Sequence, residues 1–291
     1  MQFTRKNIAL LIMSLNLMVA PAMAKEQAVV LDKDLQAIEN DGLSADRTSA
    51  KGAVLMIHGW ASQMNEVGDM YARLAAQLAE QGYASLRVNI RGESERELTN
   101  YTMDSTFNSR VADAQAGLDY LRQHYPKLPV ALVGFSLGGA TAMALTGNNP
   151  QVISSLVLWS SAGDPGEISR QMPAATVQEI LTKGQAKLQQ WVELTITRMH
   201  LLGMMGHDVF SKLQHYQGAL LSIRGTEDFV PAQESSIFAH ANASPEEAHI
   251  ISGADHIFNS LTPGNPYSER VIQHTVRWFN DTLREGGKTE D

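Results

Sequence analysis

Pro129-Val130-Ala131-Leu132-Val133-Gly134-Phe135-Ser136-Leu137-Gly138-Gly139-Ala140 is the stretch around which the chain is organised. Its first five residues form a short apolar run that reads as a buried strand, opened by proline. Ala140-Thr141-Ala142-Met143-Ala144-Leu145 follows as a helix former. Between them, Gly134-x-Ser136-x-Gly138 makes a strand–turn–helix turn so sharp that side chains at its two glycines would strike the neighbouring strand or helix. Such a turn lifts the Ser136 hydroxyl above the C-terminal edge of a sheet and aims the Leu137 N–H, at the helix start, toward the same space. A bare G-x-S-x-G arises by chance in roughly one chain in ten of this length, so the setting has to be read outward from it.

Upstream, Gly52-Ala53-Val54-Leu55-Met56-Ile57 is a buried strand that ends at His58-Gly59-Trp60. Residues 65–81 have helical spacing, with Val67, Met70, Leu74 and Leu78 on one face and Gly82 as the stop. Ala84 to Ile90 is the next strand, leading into Arg91-Gly92-Glu93-Ser94. Phe107 to Tyr125 is a helix with Val111, Ala114, Leu118 and Leu121 as its stripe. After the Ser136 turn and its helix, Ile153 to Trp159 is a further strand. Strand and helix alternate throughout, which predicts a mostly parallel sheet covered on both faces. Between Lys25 and Lys51 the pattern is weaker; Asp41-Gly42 suggests a hairpin turn joining two short antiparallel edge strands.

The alternation breaks between 164 and 217, where a helical piece (Ala174 to Thr182), a stretch of strand or hairpin (Gln185 to Thr197) and a Met- and Leu-rich segment follow one another. This reads as a cap inserted over a site after the sixth strand. The predicted organisation is therefore a leader (1–24), an α/β core (25–163 and 218–291) and a cap (164–217). The sheet resumes at Ala219 to Arg224, continues with a strand near Ala248 to Ile251 and closes with a helix from about Tyr267 to Arg284; the last residues, 286–291, read as frayed.

A serine hydroxyl needs a base within hydrogen-bond reach and a third group to orient that base. Asp228 follows one late strand and His256 follows the last one, so both belong to the same sheet rim as Ser136. Ser136, Asp228 and His256 are the candidate nucleophile, acid and base, with Glu227 as the alternative acid. Asp255, adjacent to His256, is badly placed to orient it, and His207, His215 and His240 read as solvated. His58 reads as a shaping residue of its loop. No His/Asp cluster has metal-ligand spacing, and the chemistry asks for no cofactor.

These motifs together — His58-Gly59-Trp60, Gly134-Phe135-Ser136-Leu137-Gly138-Gly139, Arg224-Gly225-Thr226-Glu227-Asp228 and Gly253-Ala254-Asp255-His256 — resemble the α/β-hydrolase superfamily, nearest to its cinnamoyl/feruloyl esterase and dienelactone-hydrolase-like branch. The resemblance covers the chain outside the cap and the leader. It implies the α/β-hydrolase fold, Ser136 as nucleophile, Asp228 as acid, His256 as base, and an oxyanion hole from the backbone N–H groups of Trp60 and Leu137. It implies a serine hydrolase cleaving carboxylic esters, with thioester or amide cleavage by the same triad, or a non-catalytic binding protein, as the competing readings. One departure stands out. Many relatives carry histidine where this chain has Glu93, in a loop expected to border the site.

Met199, Leu201, Leu202, Met204, Met205 and Phe210 crowd one short stretch. Either they dock the cap, or some of them, Leu202 and Met205 foremost, line an adaptable apolar pocket beside Trp60. The expected substrate is then a small-to-medium ester with an apolar or aromatic group.

The 291 residues carry a net charge of −8 and no cysteine. No basic stripe suits nucleic acid. At the N-terminus, Arg5 and Lys6 precede a short apolar run and Pro21-Ala22-Met23-Ala24, the pattern of a secretory leader cleaved after Ala24. The run is broken by Ser14 and Asn16 and is short for a membrane anchor, which is the competing reading. The expectation is an exported protein, periplasmic or secreted, with no integral membrane segment after cleavage and no disulfides.

Overall fold

A computed structural model describes residues 25–42, 50–93, 95–97 and 100–283. The expected leader with its cleavage point, Ser94 and the expected frayed end lie outside these residues.

Eight strands form the main sheet, in the order β1-β2-β4-β3-β7-β8-β11-β12. They are β1 (Glu26–Val30), β2 (Gln36–Asn40), β3 (Ala53–Ile57), β4 (Ala84–Val88), β7 (Val130–Phe135), β8 (Ile153–Trp159), β11 (Ala219–Glu227) and β12 (Glu246–Asp255). The two pairings that involve β2 are antiparallel, with β1 and with β4; all others are parallel. This is the mostly parallel sheet of the α/β-hydrolase fold.

The central strands are continuous apolar runs because both faces are covered. Leu55 and Ile57 pack with Ala114, Leu118 and Leu121 of α2 (Phe107–His124) and with Leu137, Ala140 and Met143 of α3 (Leu137–Asn148). Val54 and Met56 face the other way. They join Met70, Leu74 and Leu78 of α1 (Met70–Glu80) and Val271, Ile272 and Phe279 of α8 (Tyr267–Thr282). Period-two alternation along β3 thus splits one apolar run between two cores.

The first edge departs from expectation in its turn. β1 and β2 are antiparallel, but the chain reverses at Asp32-Lys33-Asp34, where Leu31 N–H donates to the Leu35 carbonyl at 2.8 Å and Lys33 has φ 55°. Gly42, with φ 74°, comes after β2 rather than between the strands. The helix expected over 65–81 begins only at Met70, because Glu66, Gly68 and Asp69 all have positive φ.

After β8, the sixth strand of the main sheet in chain order, come α4 (Glu167–Arg170), α5 (Ala174–Lys183), the antiparallel hairpin β9 (Gln185–Gln189) and β10 (Glu193–Thr197), and α6 (Arg198–Gly203). A second, four-stranded sheet runs β5-β6-β10-β9. Its strands β5 (Glu95–Glu97) and β6 (Asn100–Met103) come from the segment after β4, with β6 parallel to β10. The small sheet therefore draws on a segment that periodicity placed in a loop. Its core gathers Met103, Ile180, Leu188, Leu194, Ile196 and Leu201. After Gly206 a short 3-10 turn (Ser211–His215) and α7 (Glu234–His240) complete the elements before β12.

Candidate active site

β7 ends at Phe135 and α3 begins at Leu137, so Ser136 alone turns the chain, with φ 52° and ψ −119°. A non-glycine residue held there stores about 1–3 kcal/mol of strain. The surroundings hold it: Ser136 N–H donates to the Trp159 carbonyl at 2.9 Å, and its own carbonyl accepts from Gly139 at 2.9 Å and Ala162 at 3.0 Å. A Cβ at Gly134 would overlap the Gly138 carbonyl, and one at Gly138 the Ile57 carbonyl. Both glycines are needed for helix and strands to meet this closely.

Parallel register brings the other two residues to the same rim. Asp228 follows β11 and His256 follows β12, its pairing neighbour. His256 Nδ1 donates to Asp228 Oδ1 at 2.7 Å, and the Ser136 hydroxyl, 3.1 Å away, donates to His256 Nε2. Rings of Phe135 and Phe229 contact the imidazole, with centroids 5.2 and 4.3 Å away. The Asp228 side chain is only 1 % exposed. Burial pushes its pKa up, but the His256 hydrogen bond and charge and the Val230 N–H outweigh this, leaving the carboxyl below its ordinary value. Glu227 is exposed. Asp255 is spent on its own turn, accepting from Ile257 at 3.0 Å and Asn259 at 2.7 Å.

The loop after β3 runs past the serine. A Cβ at Gly59 would lie 2.9 Å from the Phe135 ring and 3.4 Å from the Ser136 Cβ, which brings the backbone at Trp60 alongside the Ser136 turn. Glu66 holds this loop. Its Oε2 accepts from Gly59 N–H at 2.7 Å; its Oε1 accepts from the Ser62 hydroxyl at 2.5 Å and from Val67 N–H at 2.9 Å. Burial raises the Glu66 pKa against the pull of these donors. His58, fully buried, accepts from Ile90 N–H through Nε2 at 3.0 Å and donates to the Gly59 carbonyl at 2.8 Å. Burial, with Arg110 nearby, lowers its pKa to about 4.

Ser136 and His256 open into a cavity of about 450 Å³. Trp60, Met172, Leu188, Trp191 and Phe229 supply much of its apolar wall, while Asp164 and Glu167 also border it and, among the described residues, no Lys or Arg does. Leu202 and Met205 are not among the lining residues. The expectation for them is corrected: they are 51 % and 45 % exposed and border a separate outer groove with Val177, Leu181 and Leu201. α6 turns His200 and Leu201 inward, and at helical spacing the next residue faces out. Among the described side chains of the Glu93 loop none lines the cavity; Glu93 is fully buried.

Met172, Leu188, Trp191 and Phe229 were not legible as site residues, because their segments meet only through the second sheet and the rim. Glu66 and His200 carried no signal, their partners being side chains and backbone groups unrelated in sequence pattern.

Comparison with known proteins agrees with this architecture. The chain is 29% identical over 193 residues to a pimeloyl-[acyl-carrier protein] methyl ester esterase of Chromobacterium violaceum, covering 65% of this chain and 68% of that one. Among solved structures it resembles Est1E from Butyrivibrio proteoclasticus with ferulic acid bound (TM-score 0.69, 17% identity, 88% of this chain and 99% of that one). It also resembles a dienelactone hydrolase from Anabaena variabilis (TM-score 0.61, 20% identity, 90% and 100%). The profile described as "Serine aminopeptidase, S33" (Hydrolase_4) matches residues 48–222, more than half of the chain and including the Ser136 turn. A parallel sheet that delivers its strained serine at one rim is thus matched in sequence as well as in shape, and the chain belongs to the serine aminopeptidase S33 (Hydrolase_4) family of the α/β-hydrolase superfamily.

Proposed function

We propose that the protein is a serine hydrolase that cleaves carboxylic esters through an acyl-enzyme on Ser136. The observation that carries this is the unbroken hydrogen-bonded chain from Ser136 through His256 to Asp228 at the floor of an apolar cavity.

Ser136 Oγ attacks the ester carbonyl as His256 Nε2 takes its proton. The tetrahedral oxyanion is met by the N–H groups of Leu137, at the start of α3, and Trp60, on the loop packed against the turn; losing one such donor costs about 10²–10³ in rate. The imidazolium passes its proton to the leaving alcohol, and water activated by the same histidine releases the acid. Asp228 fixes the imidazole with its proton on Nδ1 and stabilises the imidazolium. The aromatic and aliphatic wall suits an apolar or aromatic acyl group of small-to-medium size. Residues 164–217 act as the cap over it, helped by β5 and β6. The esterase relative and the ferulic acid seen in Est1E support an ester as the scissile group.

The test is labelling by a fluorophosphonate together with hydrolysis of a panel of esters, thioesters and aminoacyl amides. Wild-type protein is expected to be labelled and to turn over esters fastest, and Ser136→Ala to lose both properties while keeping its fold. Thioesters or amides turned over faster than every ester would replace the substrate class; an unlabelled wild type would favour a binding protein.

The leader pattern supports export, and mature protein from the native host is expected to begin at Lys25 by mass spectrometry. Met1 retained in a membrane fraction would favour an anchor.

A further inference from the structure

Behind the cavity wall runs a chain of buried polar groups that acyl transfer does not use. Glu93 and Arg110, both without exposed side-chain surface, form an ion pair. The Ser105 hydroxyl donates to Glu93 Oε1 at 2.5 Å. The Ser105 carbonyl accepts from His200 Nδ1 at 2.8 Å. A carbonyl can only accept, so the imidazole proton sits on Nδ1 and Nε2 keeps a lone pair. That lone pair accepts the Trp60 indole N–H at 2.8 Å.

His200 lies nearly parallel to the indole, with ring centroids 6.2 Å apart and planes at 26°. On the cavity side Trp60 meets Trp191 edge to face, at 6.0 Å and 83°. Trp60 and Trp191 line the cavity; His200 does not. His200 comes from α6 and Trp60 from the loop after β3, so this bond joins the second sheet's domain to the main one. The two short ring contacts of His200 are to one obligate acceptor and one obligate donor, and the Ser105 hydroxyl, 3.3 Å from Nδ1, gives its own proton to Glu93. A neutral imidazole serves both at once, as a side-chain amide would, whereas an imidazolium has two donors and no acceptor for the indole N–H. Burial supports the neutral form, holding the His200 pKa below its ordinary value against the opposing pull of Glu93.

We propose that His200 is a positioning residue for substrate selection: by accepting the Trp60 indole N–H it fixes the aromatic wall that bulky acyl groups pack against. The proposal rests on the reading of Ser136 as nucleophile. Glu93 contributes by holding Ser105, which in turn fixes the His200 tautomer.

The experiment measures Ser136 labelling rates with two fluorophosphonates, one bearing a small alkyl group and one a bulky aryl group. The proteins are wild type, His200→Phe, His200→Gln, Trp60→Phe and the Trp60→Phe/His200→Phe double variant, each checked for melting temperature. His200→Phe keeps a ring but no acceptor, and is expected to lower the bulky-to-small rate ratio about fivefold, the worth of one neutral hydrogen bond. His200→Gln is expected to restore the ratio, because its amide offers both the donor and the acceptor. Trp60→Phe has no indole N–H to place, so adding His200→Phe to it should change the ratio no further.

An unchanged ratio in a folded His200→Phe overturns the proposal, as does an equal loss with both probes, the mark of a merely structural role. A His200→Gln protein as impaired in ratio as His200→Phe overturns it too. If His200→Phe does not fold, an unaltered ratio in Trp60→Phe is the overturning result. A wild type that neither probe labels overturns the nucleophile reading and this proposal together, whereas a labelled wild type separates the two.

Discussion

Glu66 accepts the N–H of Gly59 at 2.7 Å, and so holds the residue that precedes Trp60 from the far end of the same loop. Its other oxygen takes the Ser62 hydroxyl and the Val67 N–H. All these partners are donors, and the hydroxyl alone can reverse its role. Glu66 itself has φ 61° and ψ 167°, a conformation that costs about 1–3 kcal/mol outside glycine.

Glu66→Gln is therefore expected to damage catalysis while leaving the cavity in place. Either orientation of the amide faces its NH₂ toward a backbone N–H. Loosening the Trp60 loop should lower kcat by about 10- to 100-fold, as for other small displacements of reacting groups, with KM little changed. Steady-state kinetics on a fast ester checks this. A rise in KM at constant kcat would assign Glu66 to substrate binding.

The geometry also separates the two candidate acids. Asp228→Asn should be severe, on the order of a 10⁴-fold loss in kcat, through the wrong imidazole tautomer. Glu227→Gln should be close to neutral, since Glu227 is exposed. Comparing kcat for the two variants decides between them; severe loss in Glu227→Gln with mild loss in Asp228→Asn would reverse the assignment.

Acyl preference should respond to the residues that line the cavity. Leu188→Ala, which enlarges the wall, is expected to move the optimum of an ester panel toward larger acyl groups. Leu202→Ala and Met205→Ala should leave the optimum where it is and shift the melting temperature little, because both side chains are about half exposed in the outer groove. Hydrolysis rates across acyl lengths test both expectations. A changed optimum in Leu202→Ala or Met205→Ala would mean that the outer groove receives substrate.

His58 gives stability a defined pH dependence. Its folded pKa, about 4, lies below the ordinary histidine value of 6.5. Between those values the unfolded chain binds a proton that the folded one does not, so stability falls as pH drops from about 6.5 toward about 4. The full contribution is on the order of 3 kcal/mol. Glu93 acts in the same direction: burial raises its pKa, but Arg110 and the neighbouring histidines bring it below its ordinary value, so its contribution is also lost as pH falls. Following the His58 ring protons by NMR should show no titration until pH approaches 4. A midpoint near 6.5 would contradict the buried, neutral assignment.

What the sequence determined by itself is local, or repeats with a fixed period. The Ser136 turn is written in Gly134, Ser136 and Gly138, because glycine is the residue that lets backbones meet there. The two-faced sheet is written in runs such as Ala53 to Ile57, whose alternate residues enter opposite cores. The order of Ser136, Asp228 and His256 follows from strand ends in a parallel sheet. Tertiary structure alone decided the wall of the cavity. Trp191, Met172 and Phe229 lie on three separate segments, and Glu93, Ser105 and His200 find one another across spacings of up to 95 residues. β5 and β6 lacked a readable period; β6 became a strand by pairing with β10 of the hairpin, and β5 by pairing with β6. A stripe of Leu and Met fixes which residues are apolar, but not whether a neighbouring element covers that face. Leu202 and Met205 were misplaced for this reason: the phase and packing of α6 turned Leu202 outward and gave the buried place to His200, and Met205, just past the helix, is exposed too.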